Sequence, residues 1–257
     1  TDFIFSKTKN TVTDFDSNVR VIDMVTGTGF TMSGYPVRSL FSFDFQGLNE
    51  DGVPTFINES GQVTTSDIYF QEYNEKSHLV YEGSIDPTVT GSFGNVFTYK
   101  NFKLNVFMTY AFGNVIRLDP VFKSSYSDLA AMPKEFKNRW TVQGDELITN
   151  VPVIADKRLL NNDPYLSYAY NAYNYSTERV AKGDFIRMKE ISLTYDFPAK
   201  LIQPLKLSAL SLKLQATNLF LIYSDKKLNG QDPEFYNSGG VASPMPKQFT
   251  LTLRLGI

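Results

Sequence analysis

The sequence predicts an all-β protein built from antiparallel strands, and three observations support this fold class. The final residues, QFTLTLRLGI, alternate strictly between apolar and polar side chains, which is the period of a strand with one apolar face and one polar face. Aromatic residues make up 14% of the 257-residue chain, as is typical of strands. Gly, Pro, Asn and Asp separate the alternating runs. We therefore expect little helix.

The first part of the chain carries the weaker strand signals. The opening TDFIFSK is typical of the end of a strand, and VRSLFSFDFQG places three phenylalanines opposite Ser42 and Asp44. Between this run and Gly83 the sequence is rich in residues that favour turns. The pattern predicts one strand with a phenylalanine face and a polar face.

A hairpin follows. In GSFGNVFTYK and NFKLNVFMTYAFG, aromatic and aliphatic side chains share one parity and Asn, Lys and Thr share the other, with Phe107 as the exception. The two runs meet at Lys100 and Asn101, where we expect a tight turn.

Three further strands end the chain. KEISLTYDFP alternates up to Pro198, which has no N–H to donate to a ladder. SALSLKLQATNLF follows after the short connection PAKLIQPLK, and QFTLTLRLGI is last. We count about six well-defined strands and eight in all.

The connections differ sharply in length. Residues 113–183 and 223–247 are long, polar and aromatic with weak periodicity, and loops of more than about 15 residues are uncommon in compact domains unless they are functional. Short turns that alternate with long connections are typical of outer-membrane barrels.

Composition excludes several classes of protein. The 25 basic and 27 acidic residues lack the basic surplus of a nucleic-acid binder. The chain has no cysteine, which excludes disulfides and thiolate metal sites. No run of 18 apolar residues is present, so no transmembrane helix is expected; transmembrane strands give only a weak hydropathy signal.

The apolar parity can pack against a second sheet, as in a soluble β-sandwich, or against lipid. Two features favour lipid. The polar parity carries Lys213, Gln215 and Arg254, which suit a wet lumen. Aromatic residues cluster near the predicted strand ends, as in the girdles of membrane barrels, at Phe93, Tyr99, Phe102, Phe112, Phe197, Phe220 and Phe249.

Several segments, in this order, resemble a known family. GDFIRMKEISLTYDFP, LSLKLQATNLFLI, GQDPE and PMPKQFTLTLRLGI resemble the C-terminal end of SusC/RagA-type TonB-dependent outer-membrane transporters. GYPVRSLFSFDFQGLNEDGVPTF and NRWTVQGDELITNVP resemble segments upstream of it, so the likeness runs from about Gly34 onward. One departure is the terminal Ile257, where such barrels usually end in an aromatic residue.

The resemblance implies antiparallel transmembrane strands with long extracellular loops, forming the C-terminal part of a barrel of about 22 strands. Residues 1–257 would then be wall and loops, whereas the plug, the N-terminal strands and the signal peptide lie outside this chain. It also implies an orientation, with residues 198–204 as a periplasmic turn and residues 113–184 and 221–247 outside the cell. Lipid-facing residues would be Phe249, Leu251, Leu253, Leu255 and Ile257, and lumen-facing residues Lys213, Gln215, Thr250, Thr252 and Arg254.

Signatures of enzymes are missing from the sequence. His78 is the single histidine, and no serine lies in a G-x-S-x-G motif. GTG at residues 27–29 lacks the spacing of a dinucleotide loop and reads as a turn. We expect no enzyme, no zinc site and no cofactor. The acidic stretches GLNEDGVPTFINESG and NGQDPEF could hold calcium through oxygen ligands, or could be ordinary Asp and Asn turns.

The segment PYLSYAYNAYNYS is the most prominent candidate for ligand binding, and we interpret it as a loop. Its tyrosines supply flat faces with hydroxyl edges, which suit sugars or peptides; the alternative is that they pack the loop on itself or on a lipoprotein lid. The candidate residues are Tyr165, Tyr168, Tyr170, Tyr173, Tyr175 and, near Arg139, Trp140.

The leading hypothesis is nutrient uptake at the outer membrane of a Gram-negative, Bacteroidetes-like cell. The resemblance implies TonB-dependent import of oligosaccharides or peptides, with a SusD-like surface lipoprotein, the rest of the barrel, the plug and the TonB complex as partners. The first alternative is a soluble β-sandwich that binds carbohydrate; the second is a structural or adhesin-like β domain.

Overall fold

The computed structural model describes residues 1–16, 19–72, 78–123, 132, 134–236 and 245–257. The strands are β1 (Asp2–Lys7), β2 (Ser39–Phe43), β3 (Phe45–Leu48), β4 (Pro54–Ile57), β5 (Val63–Thr64), β6 (Leu79–Ser84), β7 (Val89–Tyr99), β8 (Phe102–Phe112), β9 (Val115–Arg117), β10 (Val180–Lys182), β11 (Phe185–Asp196), β12 (Ala209–Ser224) and β13 (Gln248–Gly256). The helices are α1 (Val21–Val25), α2 (Lys157–Asn162), α3 (Leu166–Asn174) and α4 (Ala199–Ile202). Within these ranges no helix is long and apolar enough to cross a membrane.

Six strands form one antiparallel sheet, which we call the wall, in the order β1-β7-β8-β11-β12-β13. The predicted hairpin is confirmed, since β7 ends at Tyr99 and β8 begins at Phe102. Asp196, the last residue of β11, donates its N–H to the turn carbonyl of Asn101 at 2.9 Å, and the Asn101 amide donates to the Asp196 carbonyl at 2.7 Å. These two bonds fix the register of the hairpin against β11.

The two faces of the wall differ in polarity. Leu104, Leu193, Leu214 and Leu251 form one row across β8, β11, β12 and β13. The adjacent row, on the opposite face, contains Asn105, Ser192, Gln215 and Thr250. No other described part of the chain covers the apolar face, where Leu214 is 54% and Leu251 is 68% exposed. A β-sandwich would bury this face under a second sheet, so the sandwich alternative does not fit the structure.

Aromatic side chains mark both ends of the apolar face. At the short-turn end, Tyr195 packs against Phe102 with ring centroids 4.7 Å apart and against Phe197 at 4.9 Å. At the other end, Tyr110 covers Gly91 and donates its hydroxyl to the Ile4 carbonyl at 2.9 Å. A Cβ at Gly91 would lie 2.3 Å from the Tyr110 hydroxyl oxygen, so this position requires glycine. The exception in the hairpin, Phe107, lies on the polar face.

All the long connections leave from one end of the wall. Residues 8–88, 113–184 and 225–247 begin and end where β1, β7, β8, β11, β12 and β13 share that end, whereas residues 100–101 and 197–208 connect strands at the other. The described parts of residues 8–88, 113–184 and 225–236 fold together, and we call them the cap. The predicted asymmetry of short turns and long connections is therefore confirmed.

The cap has its own apolar core. Phe41 and Phe43 of β2, Phe56 of β4, Met24 of α1 and Tyr173 of α3 are each at most 2% exposed and belong to one cluster. Burial of side chains of this size contributes about 1.5–3 kcal/mol each. The cap is thus a folded body and not a set of independent loops.

The sequence prediction for residues 39–48 is wrong in one respect. The run is split into β2 and β3, which belong to two small sheets of the cap with β6 and with β4 and β5. Ser42, on the predicted polar face, is fully buried, and its hydroxyl accepts a hydrogen bond from Arg117. Alternation here reflects buried polar contacts and not a solvent face.

The tyrosine-rich segment is likewise not a loop. Residues 166–174 form α3, which buries Leu166, Ala169, Tyr170 and Tyr173 on one side. Their spacing is the i, i+3, i+4, i+7 pattern of an amphipathic helix, which the aromatic character of the segment concealed.

Candidate functional site

A cavity of about 1110 Å³ lies between the polar face of the wall and the cap, and we call it the seam cavity. Ligand pockets typically measure about 300–1,000 Å³, so it could admit a small oligomer. The wall contributes Thr90, Thr109 and Phe185 to its lining. The cap contributes Thr28, Arg38 and Asp86 from its first part and Pro233, Glu234 and Tyr236 from residues 225–236.

A buried ion-pair cluster holds residues 225–236, which we call the returning loop, against the wall. Arg187 of β11 pairs with Asp232, and each side chain is 8% exposed. The Arg187 Nε lies 3.1 Å from the Glu234 carboxylate, and its guanidinium carbon lies 5.5 Å from the Phe185 ring centroid. Because removal of one partner of a buried pair is costly, the cluster fixes one wall of the seam cavity.

The predicted lumen-facing residues share the polar face of the wall. Lys213 pairs in register with Thr252, Gln215 with Thr250, and Ser211 with Arg254. Glu190 accepts a hydrogen bond from Asn105 at 3.2 Å and lies 3.7 Å from the Lys213 ammonium. Of the predicted lipid-facing residues, Phe249, Leu251, Leu253 and Leu255 lie on the opposite face of the wall. Ile257 follows the end of β13, and all five residues are 57% or more exposed. The assignment of one face to lipid and the other to a lumen stays a prediction.

Arg117 organises the cap above this cavity. Its guanidinium donates to the carbonyls of Ser176, Phe41 and Val25 at 2.7, 2.7 and 3.2 Å. The residue is 5% exposed, and burial lowers the pKa of Arg117 to about 10, so it stays charged at neutral pH. Burial also raises the pKa of the nearby Glu82 carboxyl.

The five candidate tyrosines do not form one surface. Tyr170 and Tyr173 are 2% and 1% exposed and pack against Phe122 and Phe45, so their rings are not open to a ligand. Tyr175 is half-buried and contacts Phe70 edge to face. Tyr165 and Tyr168 are 63% and 48% exposed, with ring centroids 6.5 Å apart. These two remain candidates for ligand contact.

Trp140 lies against the backbone at Gly52. A Cβ at Gly52, whose φ is +73°, would lie 2.4 Å from the indole ring, so the ring packs where only glycine fits. The indole N–H donates to Glu146 at 3.0 Å, and the Trp140 backbone N–H donates to the Val151 carbonyl. These contacts give Trp140 a structural part in the cap.

Polar groups of both acidic stretches considered for calcium are engaged within the chain. Asp232 pairs with Arg187, and Asn49 accepts hydrogen bonds from the N–H groups of Asp51 and Val53. Within the described ranges, no group of three or more His, Cys, Asp or Glu residues is placed to hold a metal ion. His78 is 9% exposed and lies near the Phe43 ring in the cap core.

Sequence reasoning missed the residues that build this site. Arg117 and Arg187 contact groups that are 45 to 92 residues away in sequence, and no local pattern indicates such contacts. Alternation gave no signal for Arg187, which has the parity of the apolar Leu193 and is turned to the polar face by the irregularity between Met188 and Glu190.

A two-faced antiparallel wall with a folded cap at one end defines the class of protein, a partial β-barrel wall with long loops. No protein-family model matches the sequence. The chain is 28% identical over 190 residues to TonB-dependent receptor P39 of Formosa agariphila and 23% identical over 248 residues to TonB-dependent receptor P3 of the same organism. These matches cover 69% and 91% of this chain but 17% and 23% of the relatives.

Solved structures show the same fold. The RagAB peptide transporter matches with a TM-score of 0.60 and 22% identity over 87% of this chain and 23% of that one. The RagAB peptide importer in its open-open state also gives a TM-score of 0.60, with 21% identity over 88% of this chain. The resemblance to part of a SusC/RagA-type TonB-dependent transporter is therefore confirmed. The chain spans less than a quarter of each of these proteins.

Proposed function

We propose that this chain is the C-terminal part of a TonB-dependent outer-membrane transporter that imports oligosaccharides or peptides. The observation that carries the proposal is the wall, whose uncovered apolar face and polar, cap-facing side fit a barrel segment between lipid and lumen. The similarity to TonB-dependent receptors and to the RagAB peptide transporter supports it.

In this proposal residues 1–257 supply wall strands and an extracellular cap, while the plug, the remaining strands and the TonB-contacting segment belong to the rest of the protein. An open edge such as that of β13 leaves unpaired backbone groups, which is costly in lipid. Further strands must therefore pair with it. A SusD-like surface lipoprotein would close over the cap.

The chemistry of the site supports binding and passage, and we propose no catalysis. The seam cavity is lined by hydroxyls and by charges of both signs, and Tyr165 and Tyr168 present stacked rings on the cap. Such groups bind hydroxyl-rich or peptide ligands reversibly. The named relatives are receptors and transporters.

Energised uptake tests this function. Cells that carry the whole transporter should accumulate a labelled oligosaccharide or peptide from a defined panel, and deletion of this gene or of TonB should abolish that uptake. Arg187→Gln should lower uptake, because it leaves Asp232 buried without its cation; Lys200→Gln, in the short connection, is the matched control. If neither deletion changes the uptake of any compound in the panel, the proposed import function is refuted.

A further inference from the structure

A second pocket, of about 460 Å³, lies on the cap between the returning loop and residues 118–123, 132, 134 and 135. We call it the basic pocket, because four of the described residues that line it are basic and only two are acidic. The basic residues are Lys123, Lys134, Arg179 and Lys227, and the acidic ones Asp119 and Glu135. Asp119 and Tyr236 line both this pocket and the seam cavity, so the two are adjacent.

Arg179 lies buried at the bottom of the pocket. It is 3% exposed, and its two terminal nitrogens donate to the Glu135 carboxylate at 2.7 Å and to the Asp119 carbonyl at 2.6 Å. Its Nε has no hydrogen-bond partner among the described residues. Because this atom is itself buried, a ligand in the pocket would interact with the positive charge of the guanidinium and not with the Nε hydrogen.

Other donors lie around the mouth, and some of them are engaged. The Lys134 ammonium and the Gln231 amide make no hydrogen bond within the described ranges, and both residues are exposed. Lys227 lies 3.3 Å from the Glu178 carbonyl and 3.8 Å from its carboxylate. The Tyr236 hydroxyl accepts from the Asp119 N–H at 2.9 Å and keeps its own proton for a further acceptor. Burial raises the pKa of Tyr236 to about 12, so that proton is retained.

The acidic groups of the pocket are only partly available to oppose an anion. The Glu135 carboxylate accepts from Arg179 and, at 2.8 Å, from the Asn229 amide. Asp119 is exposed at the rim. The interior therefore presents donors and positive charge, an arrangement that binds oxyanions.

We propose that the basic pocket binds a carboxylate or sulfate group of an acidic oligosaccharide at the entrance to the transporter. This inference rests on the proposed import function. None of the described lining residues belongs to a strand, so the pocket offers no edge on which a peptide could add as a strand. A sugar, by contrast, presents an acceptor on almost every ring carbon to donors spread around a mouth.

Binding to the whole transporter, purified in mild detergent, tests the proposal. The probes are fluorescent trigalacturonate, its methyl ester and a sulfated galactotriose, with a glutamate-rich peptide as comparison, read by fluorescence anisotropy. Trigalacturonate or the sulfated sugar should bind at least about tenfold more tightly than the ester, as expected for one or two charge-assisted hydrogen bonds.

The test variant is the double substitution Lys134→Gln and Lys227→Gln, at two exposed residues of the pocket. The matched control is Lys226→Gln, because Lys226 lies beside Lys227 but does not line the pocket. The double variant should lose about tenfold in affinity for the acidic sugar and none for the ester, and Lys226→Gln should stay within about twofold of wild type. Equal binding of acid and ester, no binding of either acidic sugar, equal behaviour of the variants, or lysine-dependent binding of the peptide alone would overturn the proposal.

The two proposals fail in distinguishable ways. A transporter that still takes up a neutral oligosaccharide under TonB power but shows none of these charge effects would refute the basic pocket and leave import intact. Uptake that proceeds equally well without TonB would refute the import function, whatever the pocket binds.

Discussion

At the scale of single residues, buried arginines determine how the cap holds together. Arg117 joins α1, β2 and the turn at Ser176 through three carbonyl contacts, and Arg187 joins the returning loop to the wall. None of these partners is near in sequence. Sequence reasoning could therefore find the strand that carries Arg187 but not the contacts its side chain makes.

Arg117→Met should destabilise the cap by about 3 kcal/mol or more, because it leaves buried carbonyls without donors and Glu82 without its nearby cation. Hydrogen exchange of the amides of α1 and β2 in the whole transporter measures the free energy of local opening. The control is Arg38→Met, whose pair with Asp86 is half-exposed and worth about 1 kcal/mol or less. Equal effects of the two substitutions would contradict the assignment of Arg117.

Glu82 should make the stability of the cap depend on pH. Burial raises the pKa of its carboxyl in the folded state, so between the ordinary and the raised pKa the folded state binds more protons than the unfolded state. The free energy of unfolding then falls as pH rises through that window. Glu82→Gln should flatten the dependence above the ordinary carboxyl pKa, measured by the same exchange experiment. A steeper fall in the variant would contradict the prediction.

At the scale of elements, strict alternation of apolar and polar residues predicted a strand correctly where the two faces of the strand have different surroundings. The turn at residues 100–101 and the strands β7, β8, β11, β12 and β13 were predicted from their sequences, because each strand places mainly apolar side chains on one face and mainly polar or small ones on the other. The predictions for β2 and α3 were wrong because the cap encloses both elements. In β2 a polar side chain is buried by a hydrogen bond, and in α3 tyrosines are buried by packing.

The two faces of β12 should respond differently to charge. Leu214→Arg, on the apolar face, should cost about 2–4 kcal/mol in the bilayer and lower the amount of assembled barrel, whereas Gln215→Arg, on the polar face, should assemble normally. The measurement is the fraction of heat-modifiable, folded protein in the outer-membrane fraction. Equal assembly of both variants, or failure of Gln215→Arg alone, would show that the faces are assigned wrongly.

At the scale of the whole molecule, the chain joins two bodies with different tasks. The wall presents an uncovered apolar face and completes its hydrogen bonding only if further strands pair with β1 and β13. The cap has its own core and carries the seam cavity and the basic pocket on the side from which the long connections leave. The proposed barrel segment with an extracellular cap would account for both.

The proposed place of this chain in an outer-membrane barrel is tested most directly by fractionating the native membranes and identifying what copurifies with the chain in mild detergent. We predict that the chain is found in the outer membrane, together with the remaining barrel, the plug and a surface lipoprotein. A chain that is soluble, monomeric and cooperatively folded without detergent would contradict the account.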